Sequence, residues 1–393
     1  MKTAWFIAAR LLRRRGTALL RTSALAALLA VALGVASLVV VLALMSGYAS
    51  ALRDGVLAAG GHLVVLAPPG LPPDAVAASA SRIAAVPGVT RVGVVTYLPG
   101  MLFPRSGGGA ELVSLRAGVS LPPFVRLPHD AEGEPLPVGI GSGVARKVGA
   151  RSGDVLSLQV VTGRTPRAVP VRVAQVFATG FAELDERFVV ADLAALRRRL
   201  PAVPGGALEV WVDDPDGADA LRERVEAACG GGAIAASWQE RNRNLFAALR
   251  WQKLSLGLVL SLVLGVGAFE VASALVVLVT EKRREFGVLL AVGSPPRLVR
   301  DTLMIAGAAL GGAGVVAGVA LGVLVVGALA ALGIPHFSPE IASVYMVDTI
   351  PLRLVPADLA AVLGLSMLEV VAASALPAVR ASRREPVEVL RWV

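Results

Sequence analysis

The sequence predicts a membrane protein with four transmembrane α-helices and an α+β domain outside the membrane, a split βαβ subdomain carrying an inserted β-rich subdomain. Three observations carry this reading. Of 393 residues, 55% are hydrophobic and 17% charged, with a mean hydropathy of +0.70, too apolar for an ordinary soluble domain. The apolar residues gather in four long runs poor in charge, at 22–52, 254–280, 302–332 and 356–379. The long stretch 53–253 instead alternates short β-type segments with turn signals.

Each run reaches the roughly 20 residues that a helix rising ~1.5 Å per residue needs to cross a ~30 Å hydrocarbon core. The first follows basic residues and ends in Ala49-Ser50-Ala51, which resembles a signal-peptide cleavage site. Its apolar length far exceeds the ~7 to 15 residues of a signal peptide's core, so we read it as an uncleaved anchor.

Lysine and arginine placement sets the expected orientation. Segment 1–21 carries Lys2, Arg10, Arg13, Arg14, Arg15 and Arg21 and no acid. Segment 281–301 carries Lys282, Arg283, Arg284, Arg297 and Arg300, and segment 380–393 carries Arg380, Arg383, Arg384 and Arg391. The connection 333–355 has only Arg353. The positive-inside rule then places both termini and 281–301 in the cytoplasm, and 53–253 outside. The formal net charge of +9 is thereby a topology signal and calls for no nucleic-acid partner.

In the outer stretch, HLVVLAP, VGVVTYLPG, AELVSLRAGV, VRVAQVF and ALEVWVDD read as strands bounded by Gly, Pro and Asp. Two parts resemble each other: the segment from His62 to Val95 and the segment from Ala207 to Ser237 each give strand, helix, glycine turn and strand. That is a split βαβ pattern, with Asp74 and Asp216 near the helix starts, where a carboxylate suits free N–H groups. Residues 100–206 form the insertion, in which GSGVARKVGARSGDVLSLQVV reads as a short helix, a turn through Gly153-Asp154 and a strand. Cys229 is the sole cysteine, so no intrachain disulfide forms and the domain depends on its core.

Catalytic motifs are missing. A phosphate-binding loop needs Gly-Lys-Ser/Thr, and none of the four lysines, Lys2, Lys147, Lys253 and Lys282, lies in that context. His62, His129 and His336 are far apart and form no HExxH. GSGVA at Gly141 is a turn rather than a nucleophile elbow. The chain is expected to be no enzyme, and to bind no metal or cofactor itself.

The segment TEKRREFGVLLAVGSPPRLVRDTLM, from Thr280 to Met304, puts a compact charged helix between two apolar runs. Phe286, Leu289, Leu290 and Val292 supply an apolar side, Lys282, Arg283, Arg284 and Glu285 a polar one, and Gly293 ends it. Such a helix suits docking into the groove of a separately made ATPase, or rest on lipid headgroups.

EKRREFGVLLAVGSPPRLV resembles the coupling helix of permeases of lipoprotein-releasing ABC transporters, the LolC/LolE family, which share a four-span plan with MacB and FtsX. Similar matches run along nearly the whole chain. WFIAARLLRRR resembles the family's amphipathic elbow helix (1–21), and ALGVASLVVVLALMSGYASALRDGVL its first span and the helix continuing from it. WQERNRNLFAALRWQKLSL resembles the connector into the second span, VYMVDTIPLRLVPADL the outer loop before the fourth, and LPAVRASRREPVEVLRW the cytoplasmic tail. The connector and outer loop favour the lipoprotein-releasing branch.

The resemblance implies a bacterial inner-membrane permease, dimeric as a homo- or heterodimer, paired with LolD-like ATPase subunits that hold ATP and Mg²⁺. It would extract lipid-anchored proteins and pass them to a LolA-like periplasmic chaperone. The coupling residues would be Glu281, Lys282, Arg283, Arg284, Glu285, Phe286, Leu289, Leu290 and Gly293. In LolC-type members a hairpin hook recruits the chaperone; here the connection VVTGRTPRAVPVRV is short for a hook. An FtsX-like regulator of a cell-wall hydrolase and a MacB-like efflux permease are the alternative functions.

Glu270 and Glu369 interrupt the second and fourth runs, each eleven residues from a boundary charge, Glu281 and Arg380. At ~1.5 Å per residue both lie about 16 Å deep, near the bilayer midplane. They are expected to be largely protonated and hydrogen-bonded, with Glu270 bordering a central cavity. Met45, Tyr48, Leu256 and Leu260, toward the outer end of the first two runs, are the expected acyl-chain contacts. Gly307, Gly311, Gly314, Gly318 and Gly322 form a stripe on the third run that permits close packing, expected against the chain's own fourth or second helix.

Overall fold

The computed structural model describes residues 2–13, 18–66, 73–104, 109–131, 133–162, 165–201, 203, 206–230, 232–332 and 351–382. Arg14, Arg15, Arg383, Arg384, Arg391 and residues 333–350 of the expected outer loop lie outside them. In chain order the first elements are α1 (Lys2–Arg13), α2 (Ala18–Ala59), β1 (Leu63–Leu66), α3 (Pro73–Ala84), β2 (Val89–Phe103), β3 (Glu111–Gly118) and β4 (Leu136–Gly141). Then come α4 (Ser142–Val148), β5 (Val155–Thr162), β6 (Thr165–Phe177), α5 (Ala182–Arg187), β7 (Phe188–Asp192), α6 (Leu193–Arg199), β8 (Ala207–Val212), α7 (Ala218–Cys229) and β9 (Ile234–Ser237). The last are α8 (Trp238–Arg241), α9 (Arg243–Glu281), α10 (Arg283–Ala291), α11 (Pro296–Ala331) and α12 (Pro356–Ser382). The described residues fall into two compact units: Ala49–Ala247 is one, and the remainder, before Ala49 and after Ala247, is the other.

In the helical unit, α2, α9, α11 and α12 are long and apolar enough to cross a membrane. α2 and α9, with 42 and 39 residues, are roughly 63 and 58 Å long at ~1.5 Å per residue. Both continue beyond their apolar runs, and α9 takes in most of the stretch before the second. Pro296 opens α11, where a missing N–H costs nothing.

The glycine stripe of α11 shows how these helices approach. A Cβ on Gly307 would meet Ser374 Oγ at 2.3 Å, and one on Gly311 would meet Val370 Cγ1 at 2.3 Å, both on α12. Gly314, Gly318 and Gly322 instead lie against Val31, Ala32 and Val39 of α2. The expectation of a fourth- or second-helix partner is therefore corrected for three of the five: the first span is their neighbour. The reason is that α11 crosses both helices, using its small side for each in turn. Gly34 of α2 and Gly267 of α9 serve the same end between those two helices, against Leu264 and Ala30.

The other unit is built on nine strands in the order β3-β7-β4-β6-β5-β2-β8-β1-β9, with β3 also paired to β2. That extra pairing closes β2, β3, β7, β4, β6 and β5 into a six-stranded barrel. The β3–β7 and β4–β6 pairs are parallel and the rest antiparallel. Leu102, Leu115, Leu136, Ile140 and Leu158 fill its interior with no exposed surface, and each such side chain contributes roughly 1.5–3 kcal/mol by leaving water.

β2, β8, β1 and β9 form a four-stranded sheet. β1 and β2 both run antiparallel to β8, and β8 and β9 both antiparallel to β1. The units β1-α3-β2 and β8-α7-β9 are thus two interleaved split βαβ motifs, as the repeat predicted. Val76 and Ile83 of α3 and Val225 and Cys229 of α7 pack on this sheet. β2 belongs to both parts: Val89–Val95 pairs with β8, and Val95–Leu102 with β3.

Candidate functional site

α10 is the element that the sequence marks for a partner. Gly293, at φ +94°, ends it: its N–H donates to Leu290 O at 3.0 Å and that of Ser294 to Leu289 O at 3.1 Å, the left-handed glycine stop that a side chain would strain. Lys282 donates to Glu285 at 2.8 Å, and Glu281 is the last residue of α9.

The apolar side of α10 does not face outward. Phe286 is buried, and Leu289 and Leu290 pack with it against Leu278, Val299, Leu303 and Ala378 of the neighbouring helices. This corrects the expectation that Phe286 enters a partner's groove, while Leu289 and Leu290 stay half-buried: a nine-residue helix beside the bundle buries its apolar side there first. What α10 and its end present outward is Arg283, Arg284, Glu285, Val288 and Val292, the last 82% exposed.

Of the residues expected to touch acyl chains, Met45, Tyr48 and Leu256 are half-buried, and Leu260 packs on the cluster around Val35, Leu38 and Leu264. The outward row of α9 is Val259, Val263, Val266 and Glu270, all exposed, at the helical spacings of four, three and four that put them on one face. Sequence reasoning chose Leu256 and Leu260 by depth and apolarity, which cannot tell one side of a uniformly apolar helix from another. Glu369 is half-buried on α12, and among the described residues no hydrogen-bond partner meets its buried Oε2. A Cβ on Gly265 would lie 4.0 Å from it; the room comes from that glycine.

Ser46 of α2, Lys253 of α9 and Asp358 of α12 bring three spans together in a polar cluster that the sequence reading missed. Lys253 Nζ of α9 donates to Asp358 Oδ1 and Oδ2 of α12 at 2.7 and 2.8 Å, and to Ser46 Oγ of α2 at 2.9 Å. Ser46 donates in turn to Asp358 Oδ2 at 2.6 Å. Just ahead of α12, the Arg353 N–H donates to Ala43 O at 3.0 Å.

In the strand-rich unit, Arg53 near the end of α2 donates two hydrogen bonds of 2.8 Å to the Asp216 carboxylate and lies 5.7 Å over the Trp238 ring. The Asp216 hydrogen bond raises the Arg53 pKa further. Asp216 therefore does not cap α7, whose N-cap is Gly217 without a side-chain bond; a cationic partner outcompetes neutral N–H groups. β5 and β6 pair as far as Thr162 with Thr165, so two residues connect them and the hairpin is short, as read. Among the described residues no three His, Cys, Asp or Glu side chains gather to hold a metal.

Residues 24–228 match the MacB-like periplasmic core domain, and residues 257–386 the FtsX-like permease C-terminal region. The chain is 27% identical over 393 aligned residues to the lipoprotein-releasing system transmembrane protein LolC of Xylella fastidiosa (strain 9a5c), covering 94% of this chain and 93% of that one. To LolC of Neisseria meningitidis serogroup B it is 30% identical over 271 residues, 64% of each chain. To LolE of Haemophilus influenzae it is 23% identical over 269 residues, 64% of this chain and 63% of that one. The crystal structure of the periplasmic region of MacB from Actinobacillus actinomycetemcomitans aligns with 47% of this chain and 91% of its own, at 11% identity and a TM-score of 0.30.

Proposed function

This chain belongs to the MacB-like periplasmic core domain family and carries an FtsX-like permease region, and we propose that it is the permease subunit of an ABC transporter that releases lipoproteins from the bacterial inner membrane. The observation that carries the reading is the match to lipoprotein-releasing relatives along 94% of the chain. The subunit performs no catalysis. ATP and Mg²⁺ are held by a separate LolD-like ATPase, which meets the outward edge of α10 at Arg283, Arg284 and Val288. A second permease subunit completes the membrane part, and a LolA-like chaperone takes the released client.

Both termini and α10 face the cytoplasm, and the strand-rich unit faces the periplasm. Closure of the ATPases moves α10, and α2 and α9, each an unbroken helix, carry that movement outward as rods. A lipid-anchored client is displaced from the apolar region bordered by the outer halves of those helices. The short β5–β6 hairpin leaves chaperone recruitment to the second subunit.

The test is reconstitution with the ATPase in proteoliposomes holding a triacylated lipoprotein. ATP-dependent release into a soluble chaperone is expected, with none from the permease alone. ATP hydrolysis by the purified chain unaided, labelling of 53–253 from the cytosolic side, or a cell-wall hydrolase or outer-membrane channel as the co-purifying partner would overturn the reading.

A further inference from the structure

The cluster of Lys253, Asp358 and Ser46 lies within the helical unit, where three spans end together. Counted from the inner boundary charges at ~1.5 Å per residue, Asp358 is about 33 Å along α12, Ser46 about 38 Å along α2 and Lys253 about 42 Å along α9. All three are past the outer limit of a ~30 Å hydrocarbon core, by roughly 3 to 12 Å. There the pair is neither dry nor bathed: the side chains of Lys253 and Asp358 keep 33% and 21% of their exposure.

Below the cluster the same helices meet through apolar side chains, with Val35, Leu38, Leu264 and Val362 buried and Leu359 packed beside them; Leu354, just ahead of α12 and on the other side of Asp358, joins the same packing. At the cluster the contact is instead charged. Half-exposed ion pairs add little fixed stability, and an apolar contact would hold the helices at least as well. What a charged contact offers is that both partners can be solvated when it opens, so parting of the pair itself exposes no apolar surface. Two backbone contacts lie at this level as well. The Arg353 N–H reaches Ala43 O, and Gly47 leaves the space that Pro351 O occupies, 2.2 Å from where its Cβ would be. Asp358 also lies in the first turn of α12, where a negative charge is favoured, so it stays a competent acceptor when Lys253 leaves.

We propose that Lys253 and Asp358, with Ser46, form a reversible latch across the outer ends of the first, second and fourth spans, which opens in each ATP-driven cycle to let the acyl chains leave. Lys253 and Asp358 are positioning residues: they set when the outer end opens and touch no nucleotide. The inference rests on the proposed release function.

The experiment uses the complete complex with its ATPase in proteoliposomes, read as lipoprotein released per ATP hydrolysed. Lys253→Met and Asp358→Asn are expected to lower that yield at least fivefold while ATP turnover stays within twofold of wild type, and Lys253→Arg to keep the yield within twofold. A wild-type yield from Lys253→Met, or equal loss of ATP turnover and release, overturns the proposal. A second test needs no change at the latch. In a Cys229→Ala background, Ala43→Cys with Arg353→Cys permits a disulfide that pins the start of α12 to α2. Its oxidation is expected to cut release at least tenfold, with recovery on reduction; undiminished release when oxidised overturns the latch. If the wild-type complex hydrolyses ATP but frees no lipoprotein, the functional reading fails. The latch is then judged by the cross-linking rate of the same cysteine pair, expected to fall at least threefold when ATP is trapped and overturned by equal rates.

Discussion

Arg116 and Glu209, each with 1% of its side chain exposed, form an ion pair inside the strand-rich unit that ties β3 of the barrel to β8 of the four-stranded sheet. Tyr97 of β2 donates its hydroxyl to the same carboxylate, and burial, with the Glu209 charge, raises its pKa, so it remains a neutral donor at any physiological pH. Gly60 and Gly61, just after α2, leave room for Glu209, whose Oε1 would lie 2.7 Å from a Cβ on Gly60. Removing one partner leaves the other charged in the interior, which costs about 3–5 kcal/mol. Glu209→Ala should therefore lower the unfolding midpoint of the detergent-solubilised protein far more than Tyr97→Phe, which forfeits one hydrogen bond worth about 1 kcal/mol. Equal shifts would show that the charge is compensated elsewhere.

Asp130 accepts from Arg199 at 2.7 and 2.8 Å and also from Arg198. The Arg199 hydrogen bonds, with those of Arg198 behind them, hold its pKa down at about 2. A depressed folded-state pKa contributes stability that is fully present above the unfolded value, near 4, and is lost as pH falls through the folded one. The midpoint gap between wild type and Asp130→Asn should stay constant above about pH 5 and close between about pH 4 and 2. A gap that persists at pH 2 would contradict the assignment.

A Cβ at Gly318 would meet Ala32 O at 2.6 Å, whereas one at Gly327 meets nothing within 4 Å among the described residues. Gly318→Val should push α11 from α2 and cost about 1–3 kcal/mol or more. Gly327→Ala, on the same helix, should be neutral. Thermal aggregation in detergent compares them, and similar behaviour would mean that the stripe does not pack within the chain.

On α10, Phe286→Ala and the double reversal Arg283→Glu with Arg284→Glu should separate two roles. The first empties a buried site and lowers stability by about 3 kcal/mol. The second should leave the midpoint within about 2 °C and reduce co-purified ATPase at least tenfold. Retention of the ATPase by the reversed protein would move the docking surface elsewhere.

Glu369 Oε2 is buried with no hydrogen-bond partner among the described residues, and an unmet polar group of this kind costs about 1–3 kcal/mol. Glu369→Leu should thus raise the midpoint in detergent. A fall would show that the carboxyl group makes a bond that stabilises the helices.

The four spans were legible because their length alone exceeds what a soluble helix needs, and α10 because a charged amphipathic stretch ends at Gly293. The paired βαβ units could be read from their repeat. β4 was missed: all six of its residues are buried, so LPVGIG shows no alternation, and its Pro and Gly read as turn. β7 was missed because FVVAD is short and its parallel partner is far away in sequence. Barrel closure could not be read locally, since it depends on which edges meet. The same limit hid the contact between Lys253 and Asp358, 105 residues apart, and concealed which neighbour the apolar side of α10 would choose. A periodic pattern identifies a face without identifying what covers it.

The 15-residue β2 lends its first half to one sheet and its second to the barrel, so the two subdomains have a backbone in common. The insertion is for that reason no removable cassette. A deletion designed to excise it at its apparent boundaries would cut a structural beam, and torque applied to either side must turn the other without waiting for a hinge.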